Sequence, residues 1–213
     1  MRPPRTTSIR PLTRDFFERK PRRVARELLG KILVREEKHN RLTARIVEVE
    51  AYLGANDPAA HSAAGQTLRN AVLFGPPGHA YIYFIYGNHY CLNVSCEPAG
   101  QAGGVLFRAL EPIEGIEVMA RARGVAVATE RDLRKLTSGP GRLAEAFGIT
   151  RARDNGVDLT WPRSGLWIGQ DGFKPRSIRI TPRIGITKAA DELLRYIIDG
   201  NPFVSGTKLG SKS

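Results

Sequence analysis

An alternating stretch of apolar and polar side chains lies at residues 45–53 (RIVEVEAYL). Alternation with a period of two predicts a β-strand whose side chains point in turn to opposite faces. The two predicted faces are Val47, Val49, Ala51 and Leu53 on one side and Ile46, Glu48, Glu50 and Tyr52 on the other. Two carboxylates and a tyrosine on one face are unusual for a plain core strand, so this face is the first candidate for chemistry.

A β-hairpin is predicted over residues 81–95. Residues 81–86 (YIYFIY) are β-branched or aromatic and favour a strand, Gly87-Asn88 favours a turn, and residues 90–95 return as a second strand. This arrangement places Tyr86 at the hairpin tip. A large aromatic side chain on an exposed turn indicates a contact with a partner.

Weaker patterns predict the remaining elements. Strands are expected at residues 32–35 and 105–110, and around Trp167 and Ile178. Helices are expected at residues 116–123, 142–147 and 188–197, and in a first helix that stops at Gly30. Because strands dominate the middle and helices flank it, the pattern predicts an α+β fold with an antiparallel sheet, not a regular βαβ array.

The chain contains no internal repeat and no low-complexity linker. We therefore expect one domain at residues 27–205, preceded by a basic N-terminal arm with the start of the first helix at residues 1–26. Residues 206–213 are expected to form a flexible tail. No apolar run reaches the roughly 18 residues that span a bilayer, and the N-terminus lacks the apolar core of a signal peptide.

Composition favours a compact protein with an anionic partner. Hydrophobic residues make up 41% of the chain, which argues against wholesale disorder. The 33 Lys and Arg residues exceed the 21 Asp and Glu residues, for a net charge of +12. Such an excess favours nucleic acid as the partner, although a solvated basic surface would give the same charge.

The two cysteines do not form a disulfide framework. Cys91 and Cys96 are five residues apart in a predicted strand, which places them on opposite faces. We expect two buried free thiols in a reducing compartment.

The sequence holds few signals for metal or nucleotide chemistry. The four histidines show no ligand spacing, and a magnesium nuclease site built from Glu48, Glu50 and Asp57 is only an alternative. Residues 138–141 (SGPG) lack the Lys-Ser/Thr ending of a P-loop. They are either a plain turn into a helix or a helix start whose amides grip a DNA phosphate.

Glu50 is the strongest candidate for a catalytic group. Beside Tyr52 and apolar neighbours its pKa would rise, as suits a general base. The alternative is a structural ion pair with Arg45 or Arg108. Together with the charge and the exposed Tyr86, this carboxylate suggests an enzyme that flips a base out of duplex DNA.

Four stretches in order resemble the mammalian-type alkyladenine (3-methyladenine, or methylpurine) DNA glycosylase family. They are residues 45–54 (RIVEVEAYLG), 59–62 (AAHS), 81–87 (YIYFIYG) and 107–112 (FRALEP). Weaker matches occur at residues 138–140 (SGP) and 201–205 (NPFVS).

The resemblance implies a role for each matched position. Glu50 matches the general base that activates the water attacking C1′, and Arg108 matches the arginine that holds this water and a phosphate. Tyr52, His61 and Tyr83 match the walls of the base pocket. Asn93 matches the residue that crowds the exocyclic amino group of normal guanine. Tyr86 matches the wedge that enters the minor groove.

The resemblance also implies a single compact domain with a curved antiparallel sheet, flanking helices and a protruding β-hairpin. The expected partner is double-stranded DNA that contains damaged purines. The protein is expected to be a monomer, without a metal, a cofactor or a membrane contact. The expected location is the cytoplasm of a bacterial cell, at the nucleoid, or the nucleus of a eukaryotic one. Alternatives to a monofunctional glycosylase are a non-catalytic damaged-DNA-binding module and the magnesium nuclease considered above.

Overall fold

A computed structural model describes residues 8–37, 39–85 and 89–206. Within these ranges nine strands form one sheet in which every pairing is antiparallel. The strands are β1 (Arg10–Pro11), β2 (Ile32–Glu37), β3 (Asn40–Tyr52), β4 (Ala80–Ile85), β5 (His89–Cys96), β6 (Gly103–Glu114), β7 (Leu166–Gln170), β8 (Ile178–Pro182) and β9 (Leu193–Ile198).

Six α-helices lie in the same described ranges. They are α1 (Arg14–Phe17), α2 (Pro21–Leu28), α3 (Ile116–Arg123), α4 (Glu130–Thr137), α5 (Pro140–Ala146) and α6 (Arg151–Asp154). The hydrophobic core joins buried side chains of α2 and α5, such as Val24 and Leu143, to the sheet. The predicted α+β fold is confirmed.

Strand β3 is the centre of the sheet. Along one edge it pairs with β6. Along the other edge it pairs first with β2, as in Ile32 opposite Arg45, and then with β9, as in Glu50 opposite Arg195. Because β3 has neighbours on both edges and is buried on both faces, its carboxylates lie inside the protein.

Three irregularities interrupt the pairing of β3 with β6, and two of them lie on either side of Glu48. Val47 is an extra residue on β3, between the pairs Ile46–Leu110 and Glu48–Ala109, and Arg108 is an extra residue on β6 just beyond it. A β-bulge bends its strand and redirects the bulged side chain. Here it allows the Arg108 side chain to reach both carboxylates of β3.

The predicted hairpin is formed by β4 and β5, in the register that places Tyr83 opposite Cys91 and Ile85 opposite His89. The tip residues 86–88 lie outside the described residues, so the wedge role of Tyr86 stays a prediction. Cys91 and Cys96 are free and buried, as predicted. Cys91 borders a cavity and Cys96 lies in the core, which confirms that they occupy opposite faces.

One predicted helix is wrong. Residues 188–197 were expected to be helical, but they contain the start of β9, which lies between β3 and β8. Leu194, Tyr196 and Ile198 enter the core from this strand. A strand packed on both faces is apolar at consecutive positions, so the spacing of its apolar residues also fits a helix.

The N-terminal part of the described chain contributes to the core through Phe17 and Val24. The proposed divisions at residues 26 and 205 stay predictions. Across the described ranges, no helix has the length and apolar character needed to cross a membrane.

Candidate active site

A cavity of about 390 Å³ lies beside β3, between the hairpin and two loops. Its size is within the range of small-molecule sites. The predicted base-pocket residues Tyr52, His61, Tyr83 and Asn93 all line it, as does Arg108. These side chains come from four strands and a loop, so folding brings together residues that the sequence separates by up to 56 positions.

Glu50 has no exposed surface and contacts three residues that line this cavity, Tyr52, Arg108 and Ile184. Its Oε1 accepts a hydrogen bond from the Ile184 backbone N–H at 2.8 Å, and its Oε2 accepts one from the Tyr52 hydroxyl at 3.0 Å. Arg108 Nη1 lies 3.2 Å from Oε1. The carboxylate is therefore held in one orientation by groups from three parts of the chain.

Burial raises the pKa of Glu50, and the nearby Arg108 charge opposes this rise without cancelling it. A carboxylate with a raised pKa is a stronger base when ionised. The predicted ion pair between Glu50 and Arg108 is present, whereas Arg45 instead pairs with Asp171. The sequence offered the Glu50–Arg108 ion pair as a structural alternative to a catalytic role. The pair instead holds a carboxylate with a raised pKa beside the cavity.

Aromatic rings form two walls of the cavity. Burial raises the pKa of Tyr52 and of Tyr83, so both hydroxyls stay protonated at neutral pH. The Tyr83 ring meets the His61 ring edge to face, with centroids 4.4 Å apart. Burial also raises the pKa of the neighbouring Cys91 thiol to about 11, which removes a thiolate nucleophile from the site.

Hydrogen bonds to both its side chain and its backbone hold His61 in place. Its Nδ1 lies 3.0 Å from the Tyr81 hydroxyl, and its carbonyl accepts from Asn70. Burial lowers the pKa of His61, and the charge of Arg69 lowers it further. A neutral imidazole does not repel a positively charged base.

Asn93 is buried on β5, and its Nδ2 donates to the Tyr81 carbonyl at 3.2 Å. This bond fixes the amide against the backbone of the neighbouring strand. The side chain is therefore a fixed part of the cavity wall.

Sequence reasoning missed the loop after β8. Ile184, Gly185 and Ile186 line the cavity, and Ile184 binds Glu50 through its backbone. A backbone N–H gives no signal in residue type. Only the register of β8 and β9 brings this loop over the end of β3.

The preceding residue, Arg183, was also missed. Its guanidinium makes two hydrogen bonds to Asp57, of 2.5 and 2.9 Å, and a third to the Ala51 carbonyl. It also lies 4.7 Å from the centroid of the Tyr52 ring. The Asp57–Arg183 pair therefore fixes the loop that carries Ile184 to the loop that carries His61.

Glu48 is fully buried and does not border the cavity. It forms ion pairs with Arg108 at 3.0 Å and with Arg195 at 2.7 Å. Glu48 is therefore part of a buried ion-pair network.

The acidic residues considered for a magnesium site do not form one. Glu48 and Glu50 each face arginine, and both oxygens of Asp57 are bound by Arg183. Over the described part of the chain, no group of three or more His, Cys, Asp or Glu side chains is arranged to hold a metal ion. The donor geometry thus does not favour the nuclease alternative.

The SGP stretch turns directly against the site. Gly139 N–H donates to the Arg108 carbonyl at 2.9 Å, and Pro140 begins α5 and lines the cavity. Gly139 has φ 130°, a conformation that favours glycine. The stretch is therefore a turn into a helix, as one of the two interpretations held, and a phosphate contact there stays a hypothesis.

Comparisons with known proteins agree with this site. A family model described as methylpurine-DNA glycosylase matches residues 15–202. A protein of Koribacter versatilis named as a candidate 3-methyladenine DNA glycosylase is 64% identical over 200 residues, covering 94% of this chain and 95% of its own. Proteins of the same name from Burkholderia cenocepacia and Methanocella arvoryzae are 50% and 48% identical, covering 91% and 86% of this chain and 90% and 88% of theirs. The resemblance drawn from the sequence is confirmed, and the chain belongs to the methylpurine-DNA glycosylase family.

Proposed function

We propose that this protein is a monofunctional DNA glycosylase that removes alkylated or deaminated purines from duplex DNA. The proposed substrates are 3-methyladenine, 7-methylguanine, hypoxanthine and ethenoadenine. The names of the relatives support the first of these. The net charge of +12 supports binding to the phosphate backbone.

The observation that carries the proposal is the placement of Glu50. It is a buried carboxylate with a raised pKa, held by Ile184, Tyr52 and Arg108 beside an aromatic cavity. Such a group serves as a general base for a water molecule that attacks C1′ of a flipped nucleotide. A transition state with oxocarbenium character is stabilised by the same negative charge.

The hydrogen bonds of Glu50 indicate where that water binds. Oε1 already faces the Ile184 N–H and Arg108, whereas Tyr52 supplies the one described donor to Oε2. Since each carboxylate oxygen has two lone pairs, Oε2 keeps one for a proton of water. Arg108 then acts on the opposite oxygen and favours the ionised form of the carboxylate.

The cavity walls suit a damaged purine. A base methylated at N3 or N7 is positively charged and is attracted to the electron-rich faces of Tyr52 and Tyr83. Neutral His61 adds a polar contact without repelling that charge. The rigid Asn93 amide crowds the exocyclic amino group of normal guanine and so disfavours undamaged DNA.

The proposed reaction ends with an intact abasic site. No lysine is among the described residues that line the cavity, so a Schiff-base intermediate and strand cleavage are not expected. The proposed enzyme is a monomer. Tyr86 fills the space left by the flipped base in this proposal.

The proposal is tested with labelled duplexes that carry one hypoxanthine or one ethenoadenine. Each is incubated with the protein and EDTA and then heated in alkali, which breaks abasic sites. A cut at the lesion that depends on alkali is expected. Methylated DNA, with release of 3-methyladenine measured directly, covers an enzyme restricted to cationic bases.

Three results would contradict the proposal. Cleavage without alkali would indicate a lyase or nuclease, and loss of activity in EDTA would indicate a metal enzyme. Tight binding to lesion DNA without release of any of these bases would indicate a damaged-DNA-binding module.

A further inference from the structure

Two short motifs have no role in the proposed reaction, although one contacts Arg108 and the other contacts Glu48. They are residues 138–140 (SGP) and 201–205 (NPFVS). They also contact one another, because the Ser138 hydroxyl donates to the Phe203 carbonyl at 2.6 Å. These contacts indicate a common task.

The second motif ends on Glu48. The Ser205 N–H donates to Glu48 Oε2 at 2.6 Å, and the Ser205 hydroxyl donates to Oε1 at 2.9 Å. Arg195 Nε donates to the same Oε1 at 2.7 Å, and its Nη2 donates to the Ser205 carbonyl. Glu48 is thereby fixed from two directions inside the protein.

Glu48 in turn fixes the guanidinium of Arg108. Arg108 Nε donates to Glu48 Oε1 at 3.0 Å, while Nη1 of the same group lies 3.2 Å from Glu50 Oε1. One planar guanidinium therefore bridges two carboxylates that are two residues apart on β3. The Arg108 backbone is held as well, by the Gly139 N–H.

We propose that Glu48, clamped by Ser205, is a positioning residue that holds Arg108 against Glu50 and shares its positive charge. This inference rests on the proposed function, because its consequence is measured on the Glu50 base. It assigns a role in the reaction to a buried carboxylate and to the NPFVS motif, neither of which touches the substrate.

Because Glu48 and Glu50 share the charge of Arg108, the proposal predicts the direction in which the pKa of Glu50 changes when Glu48 is replaced. Glu48 draws on the Arg108 charge that would otherwise act on Glu50 alone, and its own negative charge also disfavours ionisation of Glu50. Removing the Glu48 charge must therefore lower the pKa of Glu50. The other titratable or charged groups that act on or face Glu50 are Tyr52 on β3, Arg195 on β9, Arg183 beside β8, and Tyr83 and Cys91 on the hairpin.

The first test compares the wild-type protein with the Glu48→Gln variant. Single-turnover base release is measured across the acid range, where the rate rises as Glu50 loses its proton. We expect the acid limb of the Glu48→Gln profile to move to lower pH. The amide oxygen in Glu48→Gln still accepts from Arg108 Nε and keeps Arg108 beside Glu50, so the plateau should fall only about threefold, because a carboxylate with a lower pKa is a weaker base.

A second measurement does not depend on activity. The carboxyl carbon of Glu50, labelled with ¹³C, is titrated by NMR in both proteins, and the Glu50→Gln variant identifies its signal. The Glu50 midpoint should be lower in Glu48→Gln. An unchanged midpoint would overturn the inference even if the variant were slower.

A milder pair of variants covers the case in which Glu48→Gln does not fold. Ser205→Ala removes one hydrogen bond to Glu48, and Ser205→Thr keeps the hydroxyl. The matched control is Ser95→Ala, because the buried Ser95 hydroxyl bonds to the Pro76 carbonyl, away from Glu48. Ser205→Ala should lower the plateau rate severalfold, about fivefold, and Ser205→Thr should restore it.

The control separates positioning from folding. If Ser95→Ala loses as much activity as Ser205→Ala at equal thermal stability, the clamp has no specific role and the inference is wrong. If the wild-type protein releases no base, the proposed function fails instead. The NMR titration then still decides whether Glu48 controls Glu50.

Discussion

Two buried arginine–carboxylate pairs, on different sides of the molecule, have similar chemistry and different surroundings. Arg183 Nη1 lies 2.5 Å from Asp57 Oδ2, and Arg35 Nη1 lies 2.8 Å from Asp154 Oδ1. In both pairs the side chains are at most 4% exposed. Both guanidinium groups also donate to a backbone carbonyl, of Ala51 and of Phe147 respectively.

The difference lies in what each pair supports. Arg35 links β2 to α6, and its contacts are with the Phe147 carbonyl and Asp154. Arg183 lies against the Tyr52 ring, next to the residue whose N–H binds Glu50. Similar bonds thus hold the fold together in one region and hold the cavity wall in the other, so a buried ion pair is interpreted from its neighbours.

The largest effect is expected in the cavity region, for the Glu50→Gln variant. Base release should fall by about 10²- to 10⁴-fold, because the group that takes the proton from water is lost. Binding to lesion DNA should persist, as measured by fluorescence anisotropy. Glu114→Gln, at an exposed carboxylate of β6, is the control and should release base at the wild-type rate. Parallel loss of DNA binding would mean that Glu50 is a fold element.

Breaking the Arg183–Asp57 pair should cost more free energy of unfolding than breaking the Arg35–Asp154 pair. Arg183→Met leaves buried Asp57 without its arginine partner, which costs about 3–5 kcal/mol. Arg35→Met should cost less, because Asp154 keeps the Arg153 guanidinium at 3.4 Å. Urea unfolding measures both variants. A loss below about 1 kcal/mol in either would show that water reaches that pair and that it is equivalent to a surface ion pair.

The two variants should differ in catalysis. Arg35→Met should keep the wild-type rate per folded molecule, whereas Arg183→Met should slow base release about tenfold by loosening Tyr52 and the Ile184 loop. Rates are measured below the unfolding temperature of each variant and corrected for the folded fraction. Equal rates in the two variants would remove the distinction between the two regions.

Arg183 should also influence which bases are preferred. It is not among the described residues that line the cavity, so its guanidinium covers the outer face of the Tyr52 ring. A cation there weakens the attraction of the inner face for a cationic base. In Arg183→Met, the rate ratio of 7-methylguanine to hypoxanthine should rise about threefold, as expected from cation–π energies. An unchanged ratio would limit Arg183 to holding the loop.

The last prediction is a pH dependence of stability. Because the folded-state pKa of Glu50 is raised, the protonated form contributes stability at low pH, and this contribution is lost as pH rises through the folded pKa. Relative to Glu50→Gln, the wild type should lose at most about 1.4 kcal/mol per pH unit within that window. Unfolding in urea at several pH values measures the difference. The opposite slope would mean that Arg108 outweighs burial.

The sequence alone predicted those parts of the fold and of the site whose signals are local in the chain. Alternation predicted β3, strand-forming residues and a turn predicted the hairpin, and the family motifs brought together Glu50, Tyr52 and Arg108. Each of these signals lies within about ten consecutive residues. Three of the predicted pocket positions meet at the cavity because β3, β6, β5 and β4 pair in that order, and the fourth, His61, reaches it from a loop.

The remaining parts of the site depend on distant contacts. Ile184 acts through its backbone, and Arg183 and Ser205 meet partners 126 and 157 positions earlier in the chain. No periodicity links residues so far apart. The misassigned helix has the same origin, because whether residues 193–198 form a strand depends on β3 and β8 on either side.

The double pairing of β3 has a consequence for motion. Glu48 to Glu50 lie in a strand with β6 on one edge and β9 on the other, so their amides should be among the slowest to exchange with solvent. The general base cannot swing towards its target by local opening. The nucleotide must therefore move to the carboxylate, so the large conformational change occurs in the DNA and not in this strand.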